Sequence, residues 1–487
     1  MRMKRFLAWF DFRLNLRETL VPLMSHPIPR GAAGPMGWFY VFGSASMTLL
    51  FLQILTGIGL ALVYVPTADQ AYESLVYLNY QQPWGWFLRS LHYWSGSAMV
   101  VMVVVHMTQV FLHGAYKYPR ELNWLTGVVL LLLTLGMAFS GQVLRWDADA
   151  YWGVGVGASM AGRVPWLGPF LVDLLLGGPI IGADTLSRFF ALHVFVIPGL
   201  LLATLGVHLW LVLKRGVSAP PVPGQTVDPK TYQEEYEKEL RKEGVPFFGE
   251  AMLKDALFSA LTVIVVVVLA AIAGPKGPGA LPEPALLGAD PKPDWPFWWL
   301  FALLSLSPPG AETFIMLVFP VVLIGALLLV PFLSNRGERA PSRRPVAVLS
   351  VIVIFTLLAV LTYLGDKEPW SPVMDAWSSD PVPEDLVQRS TPLQLQGSIV
   401  FQNKQCRNCH ALEGIGGQRG PDLTRVGTRL TRDQLIDQVS NGTPGGGNMP
   451  AYGKQMKPAE MSALVDFLVS LRPPGQAPAR PADSTPR

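Results

Sequence analysis

The sequence predicts an all-α chain in two parts: a polytopic membrane protein with seven transmembrane helices, then a small all-α soluble domain. Three observations predict it. Half of the 487 residues are hydrophobic and only 15% are charged, the composition of a polytopic membrane protein. Seven apolar runs, near 38–63, 88–112, 124–143, 189–213, 254–273, 313–333 and 346–364, are long enough to span a bilayer. After the last run the chain becomes polar, glycine-rich and helix-patterned over residues 391–472.

Residues 1–37 are basic and amphipathic, with Trp9, Phe10, Phe12, Leu14 and Leu16 among arginines, and predict a helix lying in the cytoplasmic interface. Asp11 and Arg13 interrupt any apolar signal-peptide core, so none is expected here. Residues 38–215 carry the first four spans, 216–252 form a charged polar linker where the chain could be divided without harm, and 253–364 carry three more spans. Residues 365–390, rich in Pro and Asp, predict a tether to the soluble domain, and 473–487 a disordered Pro/Ala tail. Loops at 144–187 and 274–312 are long, and long loops on one face usually carry function.

Lys and Arg concentrate in the N-terminus, the 113–123 turn, the 214–253 link and the 334–345 turn. Positive-inside places those segments in the cytoplasm, so a multi-pass protein of the bacterial inner membrane presents residues 365–487 on the outer face. The net charge of +3 is small and its basic residues sit at helix ends, which gives no support to nucleic-acid binding.

Within the second run His92 and His106 are fourteen residues apart, and within the fourth His193 and His208 are fifteen apart. Fourteen residues of helix rise roughly 21 Å and stop about 40° short of four turns, so both imidazoles leave one face. A single intramembrane histidine is usually a hydrogen-bonded core residue. Two same-face pairs with matched spacing predict instead two His–His clamps, His92 with His193 at the outer level and His106 with His208 at the inner level. Such clamps suit two stacked, non-covalent b-type haems. His26 and His113, at helix ends, are expected at the interface or near a quinone pocket.

Gly43 and Gly57 repeat the fourteen-residue interval in the first run, and Gly127 and Gly141 in the third. Glycines in membrane helices commonly mark close helix packing, but the matched interval predicts bare backbone against a flat macrocycle at two levels. Arg89, one turn before His92, is expected to pair with a haem propionate or to be an ordinary interfacial arginine.

Cys406-Arg-Asn-Cys409-His410 is the c-type haem attachment pattern. Its two cysteines are the only ones in the chain, so no disulfide framework exists; they predict two thioether bonds, with His410 as iron ligand. Met449, in the glycine-rich Asn448-Met449-Pro450 segment, is the expected sixth ligand, with Met456 its rival. His/Met ligation raises the potential, which suits an electron acceptor. In the second long loop, Pro293-Asp294-Trp295-Pro296 places a carboxylate in an aromatic, partly apolar setting, where it could accept a proton; a loop Asp is more often simply solvated.

Together these motifs resemble the cytochrome b of bc-type quinol oxidoreductases, specifically the b6f form. The resemblance rests on Arg89-Ser-Leu-His92, the fifteen-residue histidine spacing, Pro119-Arg120-Glu121-Leu122, Thr126-Gly127-Val128-Val129, and Trp146-Asp147 followed by Tyr151-Trp152. Residues 244–364 resemble the separate three-helix subunit of that complex, here fused on, and 391–472 resemble a class I cytochrome c. The resemblance implies a four-helix dihaem bundle and quinol oxidation at an outer site. One electron passes to a Rieske iron–sulfur protein and on to the fused c haem, the other inward through the b haems to a second quinone site, and protons are released outside.

Asp294, Trp295 and Tyr151 would be the catalytic residues of that outer site, with Asp294 where the family has Glu and Pro296 where it has Tyr. The shorter acid resembles variants that use low-potential quinones, so menaquinol is the expected substrate. Val41 stands where the b6f form has a haem-binding Cys, and Tyr93 where an Arg is expected. A downstream cytochrome c or terminal oxidase and a homodimer are the further partners implied. The rival functions are a dihaem anchor passing electrons between quinone and a partner dehydrogenase or reductase, and a redox sensor or haem-delivery protein. Copurification with a Rieske protein separates the first rival from the quinol oxidoreductase.

Overall fold

In the computed structural model the described residues are 2–15, 18, 25–178, 181–281, 292–308, 311–367, 382–388, 390–404, 406–416, 420–442, 449, 451–453, 456–473, 476–477 and 479. Most of the expected tether, Asn448 and Pro450 lie outside them. Among the described residues seven helices are long and apolar enough to cross a membrane: α1 Phe42–Ala61, α2 Gly85–Leu112, α3 Glu121–Val143, α4 Ala183–Arg215, α5 Glu250–Ala273, α6 Phe314–Leu333 and α7 Pro345–Asp366. They coincide with the seven apolar runs of the sequence. Large apolar side chains lie exposed along these helices, Phe51, Leu200, Ile264 and Ile352 among them, as lipid-facing positions must be.

The chain divides into two compact units that interleave along the sequence, one of Met1–Gly141, Phe190–Pro278 and Val322–Thr356, the other of Gln142–Phe189, Gly279–Val321 and Leu357–Arg487. In the first unit α1, α2 and α5 pack on one another. Leu49, Met99, Leu201 and Val266 form a buried apolar layer there, with Leu130, Leu133 and Met137 of α3 against it. Each of these lies between the two histidine levels in its own helix or packs on residues that do.

Helix α4 contains a π-turn at Leu192–Val196, just ahead of Pro198. Proline has no N–H to give the preceding turn, and a π-turn absorbs one extra residue inside an α-helix. That extra residue accounts for a spacing of fifteen in α4 against fourteen in α2.

The charged linker at 216–252 has structure of its own. It contains a helix at Tyr232–Glu243, and two short antiparallel ladders hold its ends: Ile28 opposite Val245 and Val227 opposite Gly337. Buried Arg120 fastens its start to the C-terminus of α4, and half-buried Arg344 holds the C-terminus of α2. Arg120 donates to the carbonyls of Gly216 (2.9 Å) and Arg215 (3.2 Å), and Arg344 to those of Phe111 (2.9 Å) and Leu112 (3.0 Å). These are the carbonyls a helix end leaves unpaired, where the helix dipole favours cations.

In the second unit the 144–187 loop folds into helices Ala148–Gly162 and Gly168–Leu176, the first capped by Asp147, which accepts from Ala150 N at 3.0 Å. The soluble domain is built from α8 Pro392–Asn403, α9 Arg432–Asn441 and α10 Pro458–Ser470. Reciprocal capping boxes start α8 (Thr391, Gln394) and α9 (Thr431, Gln434). Phe401, Leu412, Leu464 and Phe467 fill the core, and Gly397 lets α8 lie directly on the Ala463 carbonyl of α10.

Candidate functional site

Each of the four membrane histidines faces a glycine, and the rings of His92 and His193 meet. His92 and His193 stand with ring centroids 6.3 Å apart at an interplanar angle of 76°. Two imidazole nitrogens sharing one metal at roughly 2 Å each would put the ring centres at about this separation. A Cβ added at Gly57 would lie 3.3 Å from His92 Cε1, at Gly141 2.7 Å from His193 Cε1, at Gly43 3.4 Å from His106 Cε1, and at Gly127 3.8 Å from His208 Cε1. The glycines expected to face a macrocycle thus make room, in this structure, for the imidazole edges.

Hydroxyls absent from the sequence-based expectations orient three of the rings. Thr56 Oγ1 is 2.9 Å from His92 Nδ1, Ser140 Oγ 3.0 Å from His193 Nδ1, and Thr126 Oγ1 2.8 Å from His208 Nδ1. Each hydroxyl also donates to the carbonyl one turn back, Leu52 (2.7 Å), Gly136 (2.7 Å) and Leu122 (2.9 Å) respectively. With its proton there, the oxygen can only accept, so Nδ1 carries the hydrogen and Nε2 keeps the lone pair a metal requires. Amides three residues earlier add a second hold: Gln53 donates to the His92 carbonyl at 2.5 Å and Asn123 to that of His208 at 3.3 Å. The repeated pattern, Gln53-x-x-Thr56-Gly57 and Asn123-x-x-Thr126-Gly127, is a signal the sequence does carry. These donor sets fit a haem iron held between imidazoles.

Arg89 makes its contacts within the chain. It is buried, and its terminal nitrogens donate to Asn79 Oδ1 (3.0 Å), to the Gly277 carbonyl (2.5 Å) and to the Lys276 carbonyl. It therefore anchors the segment that follows α5.

In the same unit a cavity of about 640 Å³ is lined by Phe39, Phe42, Gln109, His113, Pro221 and Phe355 among others. His113, expected near a quinone pocket, is in this wall, with Gln109 Nε2 3.1 Å from its Nδ1. Burial first, and the Arg339 guanidinium second, lower the His113 pKa to about 4. His26 lies elsewhere in that unit, stacked on Phe247 at 5.4 Å.

In the second unit Asp294 is buried and tied at both ends. Its Oδ1 accepts from Arg145 Nη1 at 2.9 Å, and its backbone N donates to Gln142 Oε1 at 2.8 Å. Arg145 also lies 3.3 Å from Asp147 and 4.0 Å from Asp149. The Asp147 approach is close without hydrogen-bond alignment, since Nε has no bonded partner among the described residues. Burial alone would lower the Arg145 pKa, but Asp294, Asp147 and Asp149 together raise it. Asp147 caps the helix bearing Tyr151, which stands edge-on to Trp146 (6.3 Å) and Trp152 (5.4 Å). Arg145 thus links the two loop segments that carry Tyr151 and Asp294, while Trp295 opens the short 3-10 turn after Asp294.

In the soluble domain His410 Nδ1 is 2.8 Å from the Pro421 carbonyl, which leaves Nε2 for a metal. Gly420 packs so closely on the His410 ring that no side chain fits there. Burial first, and Cys409 second, push the Cys406 thiol up to about 12. Met449 packs on the core with its sulfur 3.5 Å from Gln438 Nε2, whereas Met456 is itself a core residue at 8% exposure.

The fold and these sites define a class, a multi-span membrane cytochrome carrying a soluble cytochrome c domain. Residues 30–216 match the family described as Cytochrome b/b6/petB, 287–378 Cytochrome b(C-terminal)/b6/petD, and 393–468 Cytochrome C oxidase, cbb3-type, subunit III. The chain is 34% identical to a cytochrome bc complex cytochrome b subunit of Chlorobaculum thiosulfatiphilum over 73% of its own length and 79% of the relative's. It is 37% identical to the menaquinol:cytochrome c reductase cytochrome b subunit of Geobacillus thermodenitrificans over 45% of its length and 99% of the relative's. A solved structure described as a hyperthermophilic respiratory Complex III shares the fold, with a TM-score of 0.61, 23% identity, and coverage of 82% of this chain and 96% of that one. The chain belongs to the cytochrome b family, as a cytochrome bc/b6f-type cytochrome b subunit with a C-terminal cytochrome c domain.

Proposed function

We propose that this chain is the membrane redox subunit of a menaquinol:cytochrome c-type oxidoreductase. His92 with His193, and His106 with His208, each hold one b-type haem; Cys406, Cys409, His410 and Met449 hold one c-type haem. The observation that carries this reading is the His92–His193 ring separation of 6.3 Å, with both Nδ1 atoms turned to hydroxyls and both Nε2 atoms left over. Bound haems supply one-electron carriers at two depths of the membrane and a third in the soluble domain.

The residues of the chain do the rest. Asp294 accepts the proton of a quinol hydroxyl at the outer site. Its carboxylate is paired with Arg145 at 2.9 Å, so taking up the proton exchanges that hydrogen bond for one to quinol. Tyr151 and Trp295 line the site from the two segments that Arg145 joins. The cavity beside His113 is apolar, with one neutral imidazole and one amide to hold a quinone ring, and it serves as the second quinone site. The Geobacillus relative is named for menaquinol, and the short acid at position 294 supports the same substrate here. A Rieske protein takes the electron that the b haems do not, the c domain faces outward in a bacterial inner membrane, and a homodimer is the assembly.

The test is a redox-difference spectrum of the purified complex with menaquinol. The expected result is quinol-dependent reduction of b and c bands, two b haems for each c haem, and copurified Rieske iron. Quinol that leaves the b bands oxidised refutes the reading.

A further inference from the structure

The buried cation beside Asp294 is used only in part. A guanidinium donates from all three of its nitrogens, and the Arg145 side chain is 8% exposed. Its Nη1 donates to Asp294 Oδ1 at 2.9 Å. Its Nε and Nη2 are buried and have no hydrogen-bond partner among the described residues. Nη2 stands 4.0 Å from Asp149, beyond hydrogen-bond length. The Asp147 carboxylate is engaged elsewhere, accepting from Ala150 N at 3.0 Å and Gly279 N at 2.9 Å. A buried charged donor without an acceptor is costly, and a ligand oxygen at Nη2 removes that cost.

We infer that Arg145 is a catalytic residue of the outer site: its Nη2 donates to the quinol oxygen whose proton Asp294 takes. The inference rests on the outer site proposed above. The guanidinium fork aims parallel N–H bonds from neighbouring nitrogens. An oxygen on Nη2 therefore lies beside the carboxylate on Nη1, within reach of a proton transfer. In that step the quinol O–H bond breaks, an O–H bond forms on the Asp294 carboxylate, and the electron pair stays on the quinol oxygen. The negative charge passes from one acceptor of Arg145 to another. With Asp147 and Asp149 counted, as many anions surround the guanidinium after the transfer as before it. Without the cation, the same transfer would leave an unpaired charge on quinol in a partly apolar setting.

The experiment measures binding of an alkylated hydroxynaphthoquinone, anionic at neutral pH, to the purified complex by calorimetry. The anion imitates quinol that has lost its proton, and Asp294→Asn imitates the acceptor that has gained one. Asp294→Asn should tighten one class of site about ten- to hundredfold, the worth of a hydrogen bond to a charged group. The class beside His113 should not change. Adding Arg145→Gln should remove the gain. Arg145→Lys, which keeps the charge and loses the fork, takes its place if Arg145→Gln fails to assemble, and should remove most of the gain. A gain that survives in full comes from relieved repulsion alone and overturns the inference, as does an Asp294→Asn complex that binds no tighter than the wild type. In turnover Arg145→Gln should lower kcat with b and c spectra intact, and an unchanged kcat counts equally against a catalytic Arg145. A wild-type complex whose b bands quinol leaves oxidised refutes the outer site itself, and this inference with it.

Discussion

Gly141→Ala is the substitution whose effect the geometry fixes most tightly. The new Cβ would stand 2.7 Å from His193 Cε1 and 3.3 Å from its Nε2, about 0.7 Å inside ordinary contact. Neither partner yields easily. The glycine belongs to a helix backbone, and the ring is held at Nδ1 by Ser140 at 3.0 Å. Moving the ring by the missing distance stretches that bond past the range of a hydrogen bond. Overpacking costs about 1–3 kcal/mol and the lost bond about 1 more, roughly a thirty- to thousandfold loss in affinity of the site. At Gly127 the same methyl would meet His208 Cε1 at 3.8 Å, an ordinary contact, and Gly127→Ala serves as the matched control. The assay is the ratio of b to c haem in purified protein, with the c domain as internal standard. Gly141→Ala should lose about half of the b haem, and Gly127→Ala should keep it. Equal ratios in the two variants would refute the argument that these glycines act by clearance for the imidazoles.

Asp294→Asn should slow quinol oxidation steeply while leaving the b and c spectra intact; an unchanged turnover removes Asp294 from the mechanism. Cys406→Ala should abolish haem staining of the denatured chain and electron delivery to the acceptor with b haems retained, and full turnover in that variant would take the c domain off the main path. Met449→Leu should lower the c haem potential, as loss of a thioether ligand does, whereas Met456→Leu should disturb only the core; the reverse result exchanges their roles. His113, with its pKa lowered from the usual 6.5 to about 4, is neutral in the fold. Its contribution to stability is therefore complete above pH 6.5 and lost as the pH falls toward 4. Melting curves should drop more steeply over that window in the wild type than in His113→Gln, and parallel curves would contradict its burial as a neutral group.

Much of this molecule is legible from its residues alone, because the bilayer imposes its own grammar. Unbroken apolar length marks each span, and helical periodicity places His92 over His106. Contacts between distant segments have no such local mark. Arg145 and Asp294 are 149 residues apart, and nothing local to Pro293–Pro296 indicates a guanidinium there. Arg89 reads as an interfacial cation until Lys276 and Gly277 come round to meet it. The linker reads as solvated from its charges, whereas its neighbours Arg120 and Arg339 turn inward to carbonyls. The Thr-Gly and Ser-Gly pairs are visible as letters, but small hydroxyl residues are so ordinary in membrane helices that only the measured distances to Nδ1 reveal their purpose.

The buried layer of Leu49, Met99, Leu201 and Val266 has a bearing on energy conservation. Between the two histidine levels, α1 to α4 carry no Asp, Glu, Lys or Arg at all. Under the haem ligation proposed above, an electron would tunnel through such a belt, whereas a proton would meet no charged side chain in it. A belt of that kind would conduct one particle and insulate against the other, so a voltage built by the first would not be short-circuited by the second.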